Sequence, residues 1–282
     1  MITKIFAVLM AIAAPTGCAS LSGPDYPEPG QISRLLPADA ILLGEQHDAP
    51  DHQRIHQFMV ETLAGQGALA ALALEMATEG QSTEALGPDA SEDAVKTALQ
   101  WGQGSTWSWD VYGPIVMAAV RAGVPVVGAN LPKSRMREAM ADPGFELLLP
   151  PPALLAQQQS IRLGHCDLLP ESQVAPMARI QIARDIAMAR TLTQLARPDK
   201  TVLLLAGSNH VDRTRGVPQH LPATWTVKTV LLHGNEIAPA AKDDSVFDQF
   251  WQTRPAPPVD HCAEFKAHRA KPAVAPPPEK AS

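Results

Sequence analysis

The sequence predicts an α/β fold: a mainly parallel sheet with helices on both faces, plus a small helical subdomain. Two observations carry this. Short apolar runs at 41–43, 69–74, 124–127, 201–205 and 226–232 are rich in Leu and β-branched residues, the pattern of strands buried on both faces. Between them lie segments with apolar residues at helical spacing, and strands separated by helices pair in parallel.

Taken in chain order, residues 19–30, "ASLSGPDYPEPG", are polar and Pro/Gly-rich and read as a tether. After the first strand, "DHQRIHQFMVETLAGQG" carries Ile55, Phe58, Met59 and Leu63 on one face, with Asp51 as the N-cap and Gly65 or Gly67 as the stop. "DVYGPIVMAAVRAG" and "PMARIQIARDIAMARTLTQL" are also helical in pattern. The stretch from about 134 to 175 shows no strand pattern and is expected to form the helical subdomain over one end of the sheet. From 253 the chain becomes a Pro/Ala-rich tail whose last dozen residues are expected to be disordered. The expected organisation is thus 1–17 signal peptide, 18–30 tether, 31–252 α/β domain and 253–282 tail.

Length, charge and cysteines bound the function. A chain of 282 residues suits one globular domain with an attached subdomain. The net charge of −6 gives no basic patch or stripe of the kind a nucleic-acid binder shows. The N-terminus, "MITKIFAVLMAIAAPTGCAS", has one Lys before an apolar run. That run falls short of the ~20 residues a membrane span needs, and matches the apolar region of a signal peptide. Gly17-Cys18 looks like the end of a bacterial lipoprotein box, with Cys18 lipidated as the mature N-terminus. Cleavage near Ala13 would give a soluble exported protein instead. In an oxidising compartment the remaining cysteines, Cys166 and Cys262, are expected to pair. The alternative is two buried thiols.

The residues just past each strand point to a site, because ligands of open parallel sheets gather outside the carboxyl ends of the strands. The first strand runs into Gly44, Glu45 and His47, the second into Glu75, the third into Gly128 and Asn130, the fourth into Gly207, Asn209 and His210. Glycine would let the chain turn sharply there. Two Gly-x-x-His stretches and two glutamates then share one rim. A lone His at a strand end is more often a loop's hydrogen-bonding partner, and either Glu could cap a helix, but four such groups on one rim shift the balance toward a site. Two chemistries fit Glu45, His47, Glu75 and His210: ligation of a divalent metal that activates water, or metal-free general base catalysis. No H-E-x-x-H, C-x-x-C, G-x-S-x-G or P-loop motif is present.

The stretches "LLGEQHDAPDHQ", "ALEM", "WSWDVYGPIVMAAVRAGVPVVGANLP", "GHCDLLPE" and "LLAGSNHVDRTRGVPQHL", in this order, resemble the ChaN-like haem-binding lipoproteins. The doubled Gly-x-x-His with a glutamate also resembles the wider superfamily of Tiki/TraB-type proteases and erythromycin esterases. The ChaN resemblance spans roughly residues 35 to 235. It implies a parallel sheet with a smaller helical domain, an outer-membrane anchor, a role in iron uptake, and haem held between two subunits of a homodimer. It further implies a tyrosine on the haem iron and His and Lys side chains at the propionates. Tyr26 lies in the tether, so Tyr112 is the candidate ligand, a phenolate being an established axial ligand. Its other reading is a packed ring with a hydrogen-bonded hydroxyl. Trp107 and Trp109 are candidates for walling a porphyrin. Lys133 is the candidate propionate cation, with Arg135 and Arg137 as substitutes, and His47, His52 and His165 are the candidate propionate histidines. Met136 and Met140 would add apolar wall, or ordinary core. The resemblance thus implies a non-enzymatic haem binder; a metal-dependent or Glu/His-based hydrolase is the alternative.

Overall fold

The computed structural model describes residues 27–102, 107–234 and 243–270. The signal peptide, Cys18, Tyr26 and the tip of the tail lie outside them. Among the described residues, six strands form one parallel sheet in the order β3-β2-β4-β1-β5-β6. These are β1 (Ala40–Glu45), β2 (Leu69–Thr78), β3 (Val126–Asn130), β4 (Thr201–Gly207), β5 (Val227–His233) and β6 (Gln249–Gln252). The first five overlap the apolar runs read from the sequence. β6, "QFWQ", is an edge strand too short and too polar to stand out by pattern.

The helices are α1 (Pro29–Ser33), α2 (Pro50–Gly65), α3 (Glu92–Ala98), α4 (Trp109–Arg121), α5 (Met136–Ala141), α6 (Pro151–Gly164), α7 (Glu171–Leu195), α8 (Ser208–Val211) and α9 (His261–Ala270). They cover both faces. Ile41 and Leu43 of β1 face one layer with Ile55, Met59 and Leu63 of α2 and Tyr112, Ile115 and Val116 of α4. Ala40 and Leu42 face the other, with Met188, Ala189 and Leu192 of α7. The period-two alternation of side chains thus feeds two cores from one apolar run. The region 136–164 is helical and packs on α7 through small clusters such as Leu149, Ala153 and Ile182.

Four expectations change. The N-cap of α2 is Ala49, with Pro50 at its first position, and Asp51 lies in the first turn. There it accepts hydrogen bonds from Arg54 and Arg254. The tether ends early, because a capping box between Glu28 and Gln31 starts α1. The tail contains a helix, α9. Finally, Gly44 and Gly207 do not turn the chain: Gly44 lies inside β1, and neither has a positive φ. Space is what they supply. A Cβ on Gly44 would sit 3.1 Å from the Ser208 Cα, and one on Gly128 only 2.1 Å from the Thr78 carbonyl oxygen.

Cys166 and Cys262 form a disulfide across 96 residues, with an S–S distance of 2.01 Å. No helix of the described residues is long and apolar enough to cross a membrane.

Candidate functional site

Parallel register sets the site. Glu45 at the end of β1 pairs with Gly207 at the end of β4, and Leu74, one residue before Glu75, pairs with Leu205. The carboxyl ends of three adjacent strands therefore present Glu45, Glu75 and Gly207 side by side. β1 is also the place where the strand order reverses, with β4 on one side and β5 on the other. Glu45, His47, Glu75 and His210 do converge.

Glu45 is a buried hub. Its Oε1 accepts from the Tyr112 hydroxyl at 2.6 Å and from His47 Nδ1 at 2.7 Å. Its Oε2 accepts from Gln53 Nε2 at 2.9 Å and lies 3.5 Å from His56 Nδ1. Burial pushes this carboxyl upward, but His56, His47 and the Tyr112 hydroxyl outweigh it and hold the group below the usual range. Glu75 Oε2 accepts from the Gly207 amide at 2.8 Å, and its Oε1 lies 3.4 Å from His210 Nε2. Burial again opposes ionisation, and His210, His47 and the Gly207 amide again win, keeping Glu75 ionised. His47 bridges the two carboxylates, with Nε2 3.8 Å from Glu75. Behind this line, His210 Nδ1 donates to Asp185 at 2.6 Å. Burial works against the imidazolium of His210, but Glu75 and Asp185 push its pKa up to about 10.

A cleft of about 590 Å³ opens over this rim, lined by Glu45, His47, Glu75, Trp107, Arg184 and His261 among others. His47 and Trp107 stand together, ring centroids 4.5 Å apart. The His47 side chain is 32% exposed and His261 64% exposed. Arg184 brings a cation whose buried Nε has no hydrogen-bond partner among the described residues.

Other sequence candidates fall elsewhere. Tyr112 is 2% exposed and its hydroxyl is spent on Glu45; burial first, then Glu45, push it away from the phenolate form. It supports the rim instead of facing the cleft. His52 is buried, its Nδ1 accepting from the Gln46 amide at 2.9 Å and its Nε2 donating to Thr253 at 3.1 Å. Neither nitrogen is left for a propionate. His165 bonds the Ile161 carbonyl and packs on Phe265 beside the disulfide. Lys133 and Arg135 belong to a 3₁₀ turn after β3, with Arg137 next to them in α5; none of the three lines the cleft. Trp109 donates to Glu92. The metal-ligating reading also changes. No group of three or more His, Cys, Asp or Glu among the described residues is arranged to hold a metal ion. Part of the reason is visible: His210 is held between Glu75 and Asp185, and as an imidazolium it has no lone pair to give.

Sequence reasoning missed Gln53, His56, Arg184, Asp185 and His261. Asp185 carried a signal: it is an acid on the stripe of α7 that also bears Met188, Ala189 and Leu192, at helical spacing in the buried face.

Residues 31–221 match the family described as haem-binding uptake, Tiki superfamily, ChaN. The chain belongs to this family. Its fold is similar to that of a structure described as cofacial haem binding to ChaN of Campylobacter jejuni, at 26% identity and a TM-score of 0.60, over 78% of this chain and 89% of that one. An erythromycin esterase mutant in its open conformation is more distantly similar, at 14% identity and a TM-score of 0.43 over 70% of each chain. No curated protein matches the chain.

Proposed function

We propose that this chain is a haem-binding protein of bacterial haem and iron uptake, exported and held at the outer membrane by a lipid on Cys18, with two copies sharing the haem. The observation that carries the reading is the ChaN family match across 31–221, joined to the likeness to a ChaN described with cofacially bound haem. The chemistry of the cleft fits such a cargo. Trp107 offers a ring face, and His47 and His261 offer accessible imidazoles as axial donors. Arg184 in the cleft wall offers a guanidinium charge for a propionate, the role first expected of Lys133. Tyr112 and Glu45 hold His47 in orientation beneath them. The hydrolase alternative has the rim residues in place, but nothing in the comparisons favours it.

Titrating hemin into the purified protein tests the reading. A shifted Soret band that weakens in His47→Ala or His261→Ala is expected. Unchanged hemin spectra in the wild-type protein would sink it.

A further inference from the structure

The C-terminal segment is held against the cleft by groups that the sheet does not need. Arg254 forks onto Asp51, at 2.8 Å to Oδ2 and 2.9 Å to Oδ1. Seven residues on, His261 reaches the cleft wall and meets Asp48 Oδ2 at 3.1 Å. Its neighbour Cys262 is bonded to Cys166 in the turn between α6 and α7, and Phe265 packs edge-on against His165 with centroids 5.6 Å apart. The α9 side chains described, at 261–263 and 265–267, are exposed or half-buried, and none of them joins a core cluster. An exposed His–Asp pair holds a segment weakly. The Cys166–Cys262 bridge is the covalent tie of α9 to the body, and both cysteines are only half-buried, within reach of a thiol.

We propose that α9 is a disulfide-latched strap at the mouth of the cleft. The oxidised bridge keeps His261 in the cleft wall; reduction frees α9 and widens the opening. The redox step balances with a dithiol as reductant. One thiolate attacks a cysteine sulfur, the Cys166–Cys262 bond breaks, and a mixed disulfide forms. The dithiol's second thiol displaces it. Two electrons and two protons pass to the chain, leaving two thiols, and the dithiol leaves as a disulfide. For its ligand this inference rests on the haem reading; the movement of α9 does not.

The test compares the full chain oxidised, reduced with dithiothreitol, and as a Cys166→Ser/Cys262→Ser variant. Reduction and the double substitution are both expected to speed amide exchange across 261–270 by about tenfold with the sheet peptides unchanged, as local opening requires. Modification of His47 by diethylpyrocarbonate and association of hemin should accelerate with it. Unchanged exchange and unchanged His47 reactivity in both opened forms would overturn the strap. Loss of protection throughout β1–β6 would also overturn it, because the bridge would then hold the fold. Faster exchange and faster His47 modification without a Soret shift in any form would leave the strap standing and remove the haem reading.

Discussion

Asp185, in the middle of α7, meets Nδ1 of His210 at 2.6 Å, and both side chains are buried. Burial, tempered by His210, raises Asp185 to about 6, while Glu75 and Asp185 overcome burial to raise His210 to about 10. His210 starts from 6.5, so its contribution to stability is complete below that pH and is lost as pH rises through 10. The raised Asp185 has the same sign in a lower window, costing stability as pH climbs from 3.8 to 6. The melting temperature should therefore fall between pH 7 and 10, and this slope should flatten in His210→Gln. Equal slopes in the two proteins would mean that His210 is not an imidazolium. Asp185→Asn, which leaves the buried imidazolium short of a partner, should cost about 3–5 kcal/mol in denaturant unfolding.

Tyr112→Phe removes one of the donors on Glu45 and leaves His47 and Gln53 in place. A hydrogen bond to a charged group contributes about 1.5–3 kcal/mol, and urea unfolding should show a loss in that range. The hemin spectrum of the variant should remain close to that of the wild type. A folded Tyr112→Phe protein without a Soret shift would instead make the phenol the iron ligand.

Two glycine substitutions should separate site from scaffold. A Cβ on Gly207 would lie 3.0 Å from His47 Nε2 and 3.6 Å from Glu75 Oε2, so Gly207→Ala presses on the rim. Hemin affinity should drop about tenfold, equal to 1.4 kcal/mol, with little change in melting temperature. Gly128→Ala would meet backbone at 2.1 Å and has no side chain to push aside. It should lower the melting temperature sharply, overpacking costing about 1–3 kcal/mol. A Gly207→Ala protein that binds hemin like the wild type would show that the cargo does not depend on His47.

His52 should make the fold acid-sensitive. Burial, then the neighbouring His56, lower its pKa to about 4 from 6.5. A histidine kept neutral in this way contributes stability above 6.5 that is lost as pH falls toward 4. Thermal melts of His52→Gln across that window should show a shallower loss than the wild type.

Much of this was legible in the chain. The run "AILLGE" declares a strand buried on both faces, and the helical spacing of Ile55, Met59 and Leu63 declares the layer that covers it. Because parallel strands all end on one rim, the residues directly after them had to meet, and Glu45, His47, Glu75 and His210 do. What stayed hidden had no local signature. β6 is four residues on an edge. Tyr112 could be read as a ligand or as a packed donor, and only its burial against Glu45 decides.

The sequence by itself determined the fold class and the rim, since periodicity and strand ends are properties of the chain; it made a Cys166–Cys262 pair an expectation, which the 5.7 Å Cα–Cα approach then decided. The tertiary structure decided which side chains serve the cleft. Asp185 and Arg184 come from α7, and His261 from a helix 214 residues beyond His47 (261 − 47). Such long-range partners arise from packing and from a cross-link, and no spacing along the chain encodes them.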